Sequence, residues 1–274
     1  MLILVAYDIM TIGGRMDKPS KSEDDVTLKQ EIEALEAKLL KAKRLIEKGN
    51  YNPAKDILTE YLSYTINSLK EDQNSNYYSF RNILELLISY HKIKSDKAIH
   101  WTTYKISEAY QMLSIISRQN KDDELALKYL NSAIIYNPIN PNYYLDVADI
   151  YKDNQDYNNM LLIANKSYEY IFDNQELARY YRTLGAYYLD KVELDLSYSL
   201  YAYSLKYEIS SESYSQITRI RRLKKSPSYI LSNEKILSLL QDANIPLDIS
   251  EENKNIILSI TTKEESNNKK SIRK

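Results

Sequence analysis

The stretch 178-ARYYRTLGAYYLDKVELDLSYSLYAYSL-205 holds seven tyrosines in 28 residues. Rings at this density can be a platform for bases or sugars, or the packing residues of a repeated unit. Their spacing separates the two readings. Tyr181, Leu184, Gly185 and Tyr188 recur at helical steps on one face. A second helix then carries Ser197, Tyr201 and Ser204, small, large and small. The plan repeats upstream. Residues 141–174 give Tyr144, Val147-Ala148 and Tyr151, then Tyr157, Met160, Ala164 and Ser167. Residues 107–140 give Tyr110, Leu113-Ser114 and Ser117, then Ala126, Leu130, Ala133 and Pro138. Tyr110 and Tyr144 are 34 residues apart, and Tyr144 and Tyr181 are 37 apart, which places an insertion near Asp173–Gln175. Small residues let two helices approach, and a large one fills the hole left by the neighbouring pair. One pair cannot bury its apolar face alone, so such pairs stack.

The 34-residue step with Tyr-x2-Leu-Gly-x2-Tyr resembles the tetratricopeptide repeat. The resemblance covers 107–211 as three repeats and, more weakly, 35–68, where "KGNYNPAKDIL" places Gly49, Tyr51, Ala54 and Leu58 at the turn and second-helix start. The repeat's closing proline is replaced by Ile209. The resemblance implies an all-α fold, a right-handed superhelical solenoid of antiparallel helix pairs. It implies a non-enzymatic scaffold that binds a protein or peptide on the concave surface lined by each pair's first helix. The inward positions are the second, fifth, ninth and twelfth of each unit. They map to Glu108, Gln111, Ile115 and Arg118, to Asn142, Leu145, Asp149 and Lys152, and to Arg179, Arg182, Ala186 and Leu189. The polar candidates for the groove are therefore Gln111, Arg118, Asn142, Asp149, Lys152, Arg179 and Arg182. Ile115 and Asp149 stand where the chaperone-binding members of the family want amides or positive charge, so a chaperone tail is not the expected ligand. A groove basic at Arg179 and Arg182 and acidic at Asp149 suits a peptide carrying both charges. The plain alternative for each of these residues is solvated surface.

Composition agrees with a helical chain. Apolar residues make up 43% and charged residues 27%, the balance of a folded protein. Four glycines and six prolines among 274 residues are too few for an all-β fold and suit helices joined by short loops. The absence of cysteine excludes disulfides, thiolate metal sites and a cysteine nucleophile. A net charge of −1 gives no global field for nucleic acid or anionic membrane. No run approaches the roughly 18 apolar residues of a membrane span. The apolar opening "LILVAY" meets Asp8 too early, and lacks the basic start, for a secretory signal, so a cytoplasmic protein is expected.

The rest of the chain divides by composition. Residues 1–25 read as a flexible leader, with Met16 as an alternative start. Residues 26–70 read as an N-terminal helix pair. The stripe Leu28, Ile32, Leu35, Leu39, Ala42, Ile46 suits either a helix docked on its own array or a dimeric coiled coil. Residues 71–106 read as a helical connector, with helices expected at about 77–92 and 95–118. Residues 212–262 read as a helical C-terminal cap, with two short helices around Asn244–Pro246. The polar tail 263–274 reads as disordered.

Chemistry is sparse. His91 and His100 lack metal-ligand spacing, and Gly13-Gly14 lacks the residues of a phosphate loop, so no cofactor or metal is expected. The one strong charge cluster is Arg219, Arg221, Arg222, Lys224 and Lys225. It supports an alternative function, a regulatory peptide sensor with a basic nucleic-acid-contacting C-terminal helix, against the plain reading of a solvated helix end. Finally, "LILVAYDI" resembles the first strand of the small CRISPR-associated metal-dependent endonucleases, which would make Asp8 a metal carboxylate. The helical remainder does not fit that family's fold.

Overall fold

The computed structural model of the chain describes residues 23–69 and 74–271, and side chains only between residues 29 and 262. The leader, Asp8 and Gly13-Gly14 lie outside the described residues. The chain divides into two compact units, one of residues 1–122 with 135–137, the other of residues 123–134 with 138–274.

The first unit opens with α1 (Glu23–Glu47) and α2 (Tyr51–Asn67), which pack on each other. Leu35, Leu39 and Ala42 of the α1 stripe are buried within the chain, which favours the docked helix over the coiled coil. Two short strands, β1 (Ser75–Tyr78) and β2 (Ala98–Trp101), flank α3 (Ile83–Lys92) and pair in parallel, Ser75 opposite Ala98. The connector is therefore not wholly helical: the helix expected from 77 starts at Ile83, and the helix expected from 95 starts at Ile106. A parallel pair needs a crossover, and α3 supplies it. Asn82 caps α3 by accepting from the Glu85 amide. Glu85 is buried but accepts from Arg81 and from the Asn137 side chain at 2.8 Å. The Trp101 indole N–H donates to the Phe80 carbonyl at 3.1 Å. α4 (Ile106–Gln119) packs against α2, and the Tyr61 hydroxyl accepts from the Lys105 amide at its start at 2.8 Å.

The second unit contains most of α5 (Asp123–Tyr136), then α6 (Pro141–Asp153), α7 (Tyr157–Tyr168), α8 (Asn174–Asp190), α9 (Leu194–Ser204), α10 (Ser211–Leu223), α11 (Asn233–Asp242) and α12 (Glu251–Ser271). From α6 to α10 each helix packs on the next. Capping side chains start four of these five: Asn140, Asp156, Asp173 and Ser210 each accept an amide of the first turn. No Gly or Pro follows Pro246, and α12 runs to Ser271 rather than giving way to a disordered tail at 263.

Three features recur along the chain. The first is a turn that ends six of the helices. Gly49, Lys121, Gln155, Val192, Lys225 and Asn244 all have φ between 53° and 74°. Each amide bonds three residues back, and the next amide bonds five back, as in Gln155 to Lys152 and Asp156 to Tyr151. From Lys121 to Lys225 these residues stand 34, 37 and 33 apart. The second is a ring contact: Tyr110 with Tyr136, Tyr144 with Tyr170 and Tyr181 with Tyr207, each pair 26 residues apart with centroids at 5.9, 5.4 and 5.8 Å. The third is burial at the small–large–small positions. Ala126, Leu130, Ala133, Met160, Ala164, Ser167, Ser197, Tyr201 and Ser204 are all buried. Where serine replaces alanine its hydroxyl is satisfied locally, Ser197 on the Gly185 carbonyl at 2.8 Å and Ser204 on that of Tyr201 at 2.7 Å.

Only one of the six left-handed turn residues is a glycine. Val192 is the least suited, since a β-branched side chain at φ 63° crowds its own backbone. It is 73% exposed, so little packing would be lost on its removal. Val192→Gly is expected to raise the unfolding free energy by about 1 kcal/mol in a urea melt. An unchanged or lower midpoint would mean that this turn carries no strain.

Candidate binding surface

Of the seven polar residues expected to line a groove, Gln111 and Arg118 lie on α4 in the first unit. The other five lie in the second unit, Asn142, Asp149 and Lys152 on α6, Arg179 and Arg182 on α8.

Four of those five, Asn142, Asp149, Lys152 and Arg179, form one cluster, while Arg182 pairs with residues the sequence reading missed. One Arg179 nitrogen donates to the Asn142 side-chain oxygen at 2.9 Å, and the other reaches Asp146 and, at 3.4 Å, Asp149. Lys152 stands 3.8 Å from the other Asp149 oxygen. Arg182 pairs with Glu208 at 2.7 Å and lies 3.4 Å from Glu212 of α10. Asp146 sits one turn after Asn142, and Glu208 and Glu212 flank the start of α10, so none of the three falls on the positions the repeat pattern selects. Burial works against the Arg179 charge, but Asp146 and then Asp149 outweigh it, so the guanidinium is held more firmly charged than usual. Arg179 and Arg182 are thus not a free two-arginine clamp. Each is neutralised in place and ties its helix to a neighbour.

The same face continues onto α10. The Tyr201 ring lies against Gly185, and burial, then Glu212 and Asp190, raise its hydroxyl pKa while Arg219 opposes them and Asp149 adds to them. Carboxylates from α6, α8 and α10 therefore act on one hydroxyl. The hydroxyl makes no hydrogen bond among the described residues. Arg219 and Arg222 occupy in α10 the places that Asp149 and Lys152 occupy in α6, counted back from the left-handed residue of each turn.

The basic run divides. Arg221 donates to the Tyr229 carbonyl at 2.9 Å, and Lys224 pairs with Asp195 and lies 4.3 Å above the Tyr229 ring. Burial works to raise the Asp195 pKa, but Lys224 and the Tyr229 hydroxyl outweigh it and lower it. Arg219, Arg222 and Lys225 remain exposed. Arg221, Arg222 and Lys225, with Thr218 and Pro227, line a shallow cleft of about 460 Å³.

The four tyrosines that the repeat leaves unassigned also turn inward. Tyr180 donates to Asn165 at 3.0 Å, Tyr187 packs edge-on with Tyr157 and Tyr188, Tyr198 packs edge-on with Tyr229, and Tyr203 donates to the Leu247 carbonyl at 2.9 Å. No open aromatic platform is left among them. His100 stacks on Tyr77 in the strand pair, and His91 lies in the last turn of α3. Among the described residues no cluster of three His, Asp or Glu side chains could hold a metal, and no helix is long and apolar enough to cross a membrane.

The chain matches no protein-family model and no curated protein.

Proposed function

We propose that the protein is a non-enzymatic helical scaffold of the tetratricopeptide type, a right-handed solenoid that holds a protein or peptide against the first helices of its repeats. One observation carries this reading. The left-handed turn, the tyrosine–tyrosine ring contact and the buried small–large–small positions recur in register at steps of 34 and 37 residues. Recurrence of this kind is what a stacked array needs, and such arrays present long surfaces suited to partner chains. The charges that face a ligand are those not consumed by the helix-to-helix ties: Lys152 at the edge of its cluster, and Arg219 and Arg222 on α10. They suit a peptide with acidic side chains.

Selection of a displayed random-peptide library on the full chain tests this. Recovered peptides are expected to be acidic and to lose at least about tenfold in affinity against Lys152→Glu or Arg222→Glu, roughly one charge-assisted contact each. Peptides indifferent to both substitutions would refute the assignment of this face.

A nucleic acid at the end of α10 is the second reading, favoured by the exposed Arg219, Arg222 and Lys225 beside a cleft. It requires oligonucleotide binding that weakens steeply with salt, with a slope set by about three phosphate contacts.

A further inference from the structure

The segment between α11 and α12 is held in an unusual way. Tyr181 donates its hydroxyl to the Pro246 carbonyl at 2.9 Å. Tyr203 and Tyr207 both donate to the Leu247 carbonyl, at 2.9 and 2.7 Å. Tyr168 donates to the Asp248 carbonyl at 2.6 Å. Three successive carbonyls are thus taken by four tyrosines from α7, α8, α9 and the turn after α9. Pro246 has no amide hydrogen, and the amides of Leu247 and Asp248 make no hydrogen bond among the described residues. Lys206 lies over both the Tyr203 and Tyr207 rings at 5.1 and 5.0 Å and fixes that side of the groove. Ile245 is buried in the core, and Leu247 and Ile249 pack against it.

We infer that these four tyrosines form a peptide-binding groove that reads main-chain carbonyls, and that this chain fills it with its own residues 245–249. A helix or strand would bring its carbonyls already bonded, so the groove accepts only a short non-helical segment. Side-chain selection comes from the apolar floor and from the missing amide: an apolar residue, proline and an apolar residue, the order Ile245-Pro246-Leu247. The Asp248 carboxylate meets Lys254 at 2.9 Å, a cation on α12 rather than in the groove. A partner segment of this pattern displaces the internal one by exchange of equivalent contacts. This groove shares no residue with the charged face of α6, α8 and α10, so either site can fail without the other.

The probe is a labelled synthetic peptide with the sequence of residues 243–250, offered to the full chain. Ile245→Asp with Leu247→Asp removes the apolar anchors of the internal segment and leaves all four hydroxyls in place. This variant is expected to bind the peptide at least tenfold more tightly than the unaltered chain does. Adding Tyr203→Phe and Tyr207→Phe is expected to reverse the gain at least tenfold. A variant that keeps its helical circular dichroism and cooperative melt yet binds no more tightly overturns the inference, as does binding indifferent to the two hydroxyls. The single change Leu247→Asp, which leaves Ile245 in the core, guards against a double variant that does not fold. It is expected to bind the peptide at least threefold more tightly than the unaltered chain does. A folded single variant that binds no more tightly would refute the proposal.

Discussion

Between about pH 10 and pH 12 the second unit is expected to lose its helices, with its buried tyrosines ionising in the same step. Tyr144, Tyr180, Tyr181 and Tyr201 are almost fully buried, and burial is the first cause that holds each hydroxyl well above its ordinary pKa. In the first unit burial pushes Tyr61 up to about 12, against the opposing Lys105 amide. The unfolded chain loses these protons near pH 10, whereas the folded chain keeps them. The folded state therefore binds more protons above pH 10, and stability falls as pH rises. Below pH 10 both states are protonated and the effect vanishes. Each shifted hydroxyl removes about 1.4 kcal/mol per pH unit, so the four in the second unit remove roughly 5.6. Against a typical stability of roughly 5–15 kcal/mol, that exhausts the fold within about two units. Tyrosinate absorbance and helical circular dichroism followed together check it. An absorbance step should coincide with helix loss. A single smooth tyrosine titration with the helices intact would show that the hydroxyls are not withheld from water.

Tyr201 and Gly185 supply the second large effect. Tyr201 is 1% exposed, and a Cβ placed on Gly185 would meet three of its ring carbons at 3.0–3.1 Å. Tyr201→Ala is expected to cost about 3–5 kcal/mol, the usual loss for a buried ring. Gly185→Ala sets two effects against each other. Alanine in a helix gains about 1 kcal/mol over glycine, while crowding a close-packed ring costs about 1–3. Crowding wins, and a net loss of up to about 2 kcal/mol is expected. In the Tyr201→Ala background the ring is gone, and Gly185→Ala should stabilise by about 1 kcal/mol. Urea unfolding of the four proteins reads the change of sign. The same loss in both backgrounds would place the cost of Gly185→Ala somewhere other than the ring. Tyr201→Phe should be nearly neutral, because that hydroxyl has no hydrogen bond among the described residues to lose.

Much of the second unit could be read along the chain because its decisive contacts are local. Gly185 meets Tyr201 sixteen residues on, and Tyr144 meets Tyr170 twenty-six on, both within one unit of the pattern. Burial of Ala126, Met160 and Ser197 follows from the same spacing. What could not be read depends on distance or on competition. Tyr168 reaches Asp248 across 80 residues, and no periodicity announces such a bond. The strand pair was hidden because "SNYYSF" also fits a helix start, and only the partner at Ala98–Trp101 settles it. The repeat positions singled out Arg179 and Arg182 as charged candidates for a groove. They could not show that Asp146, Glu208 and Glu212 stand close enough to neutralise them. Charge at a position is legible in sequence, but free charge is not.

The six helix-ending turns carry a consequence for how such a chain ages. Two main-chain bonds close each of them, and Gly, Lys, Gln, Val, Lys and Asn all serve at the same left-handed place. Selection on such a turn acts on a torsion angle, not on a letter. Mutation can therefore replace the residue at each of these turns while the turn keeps its bend.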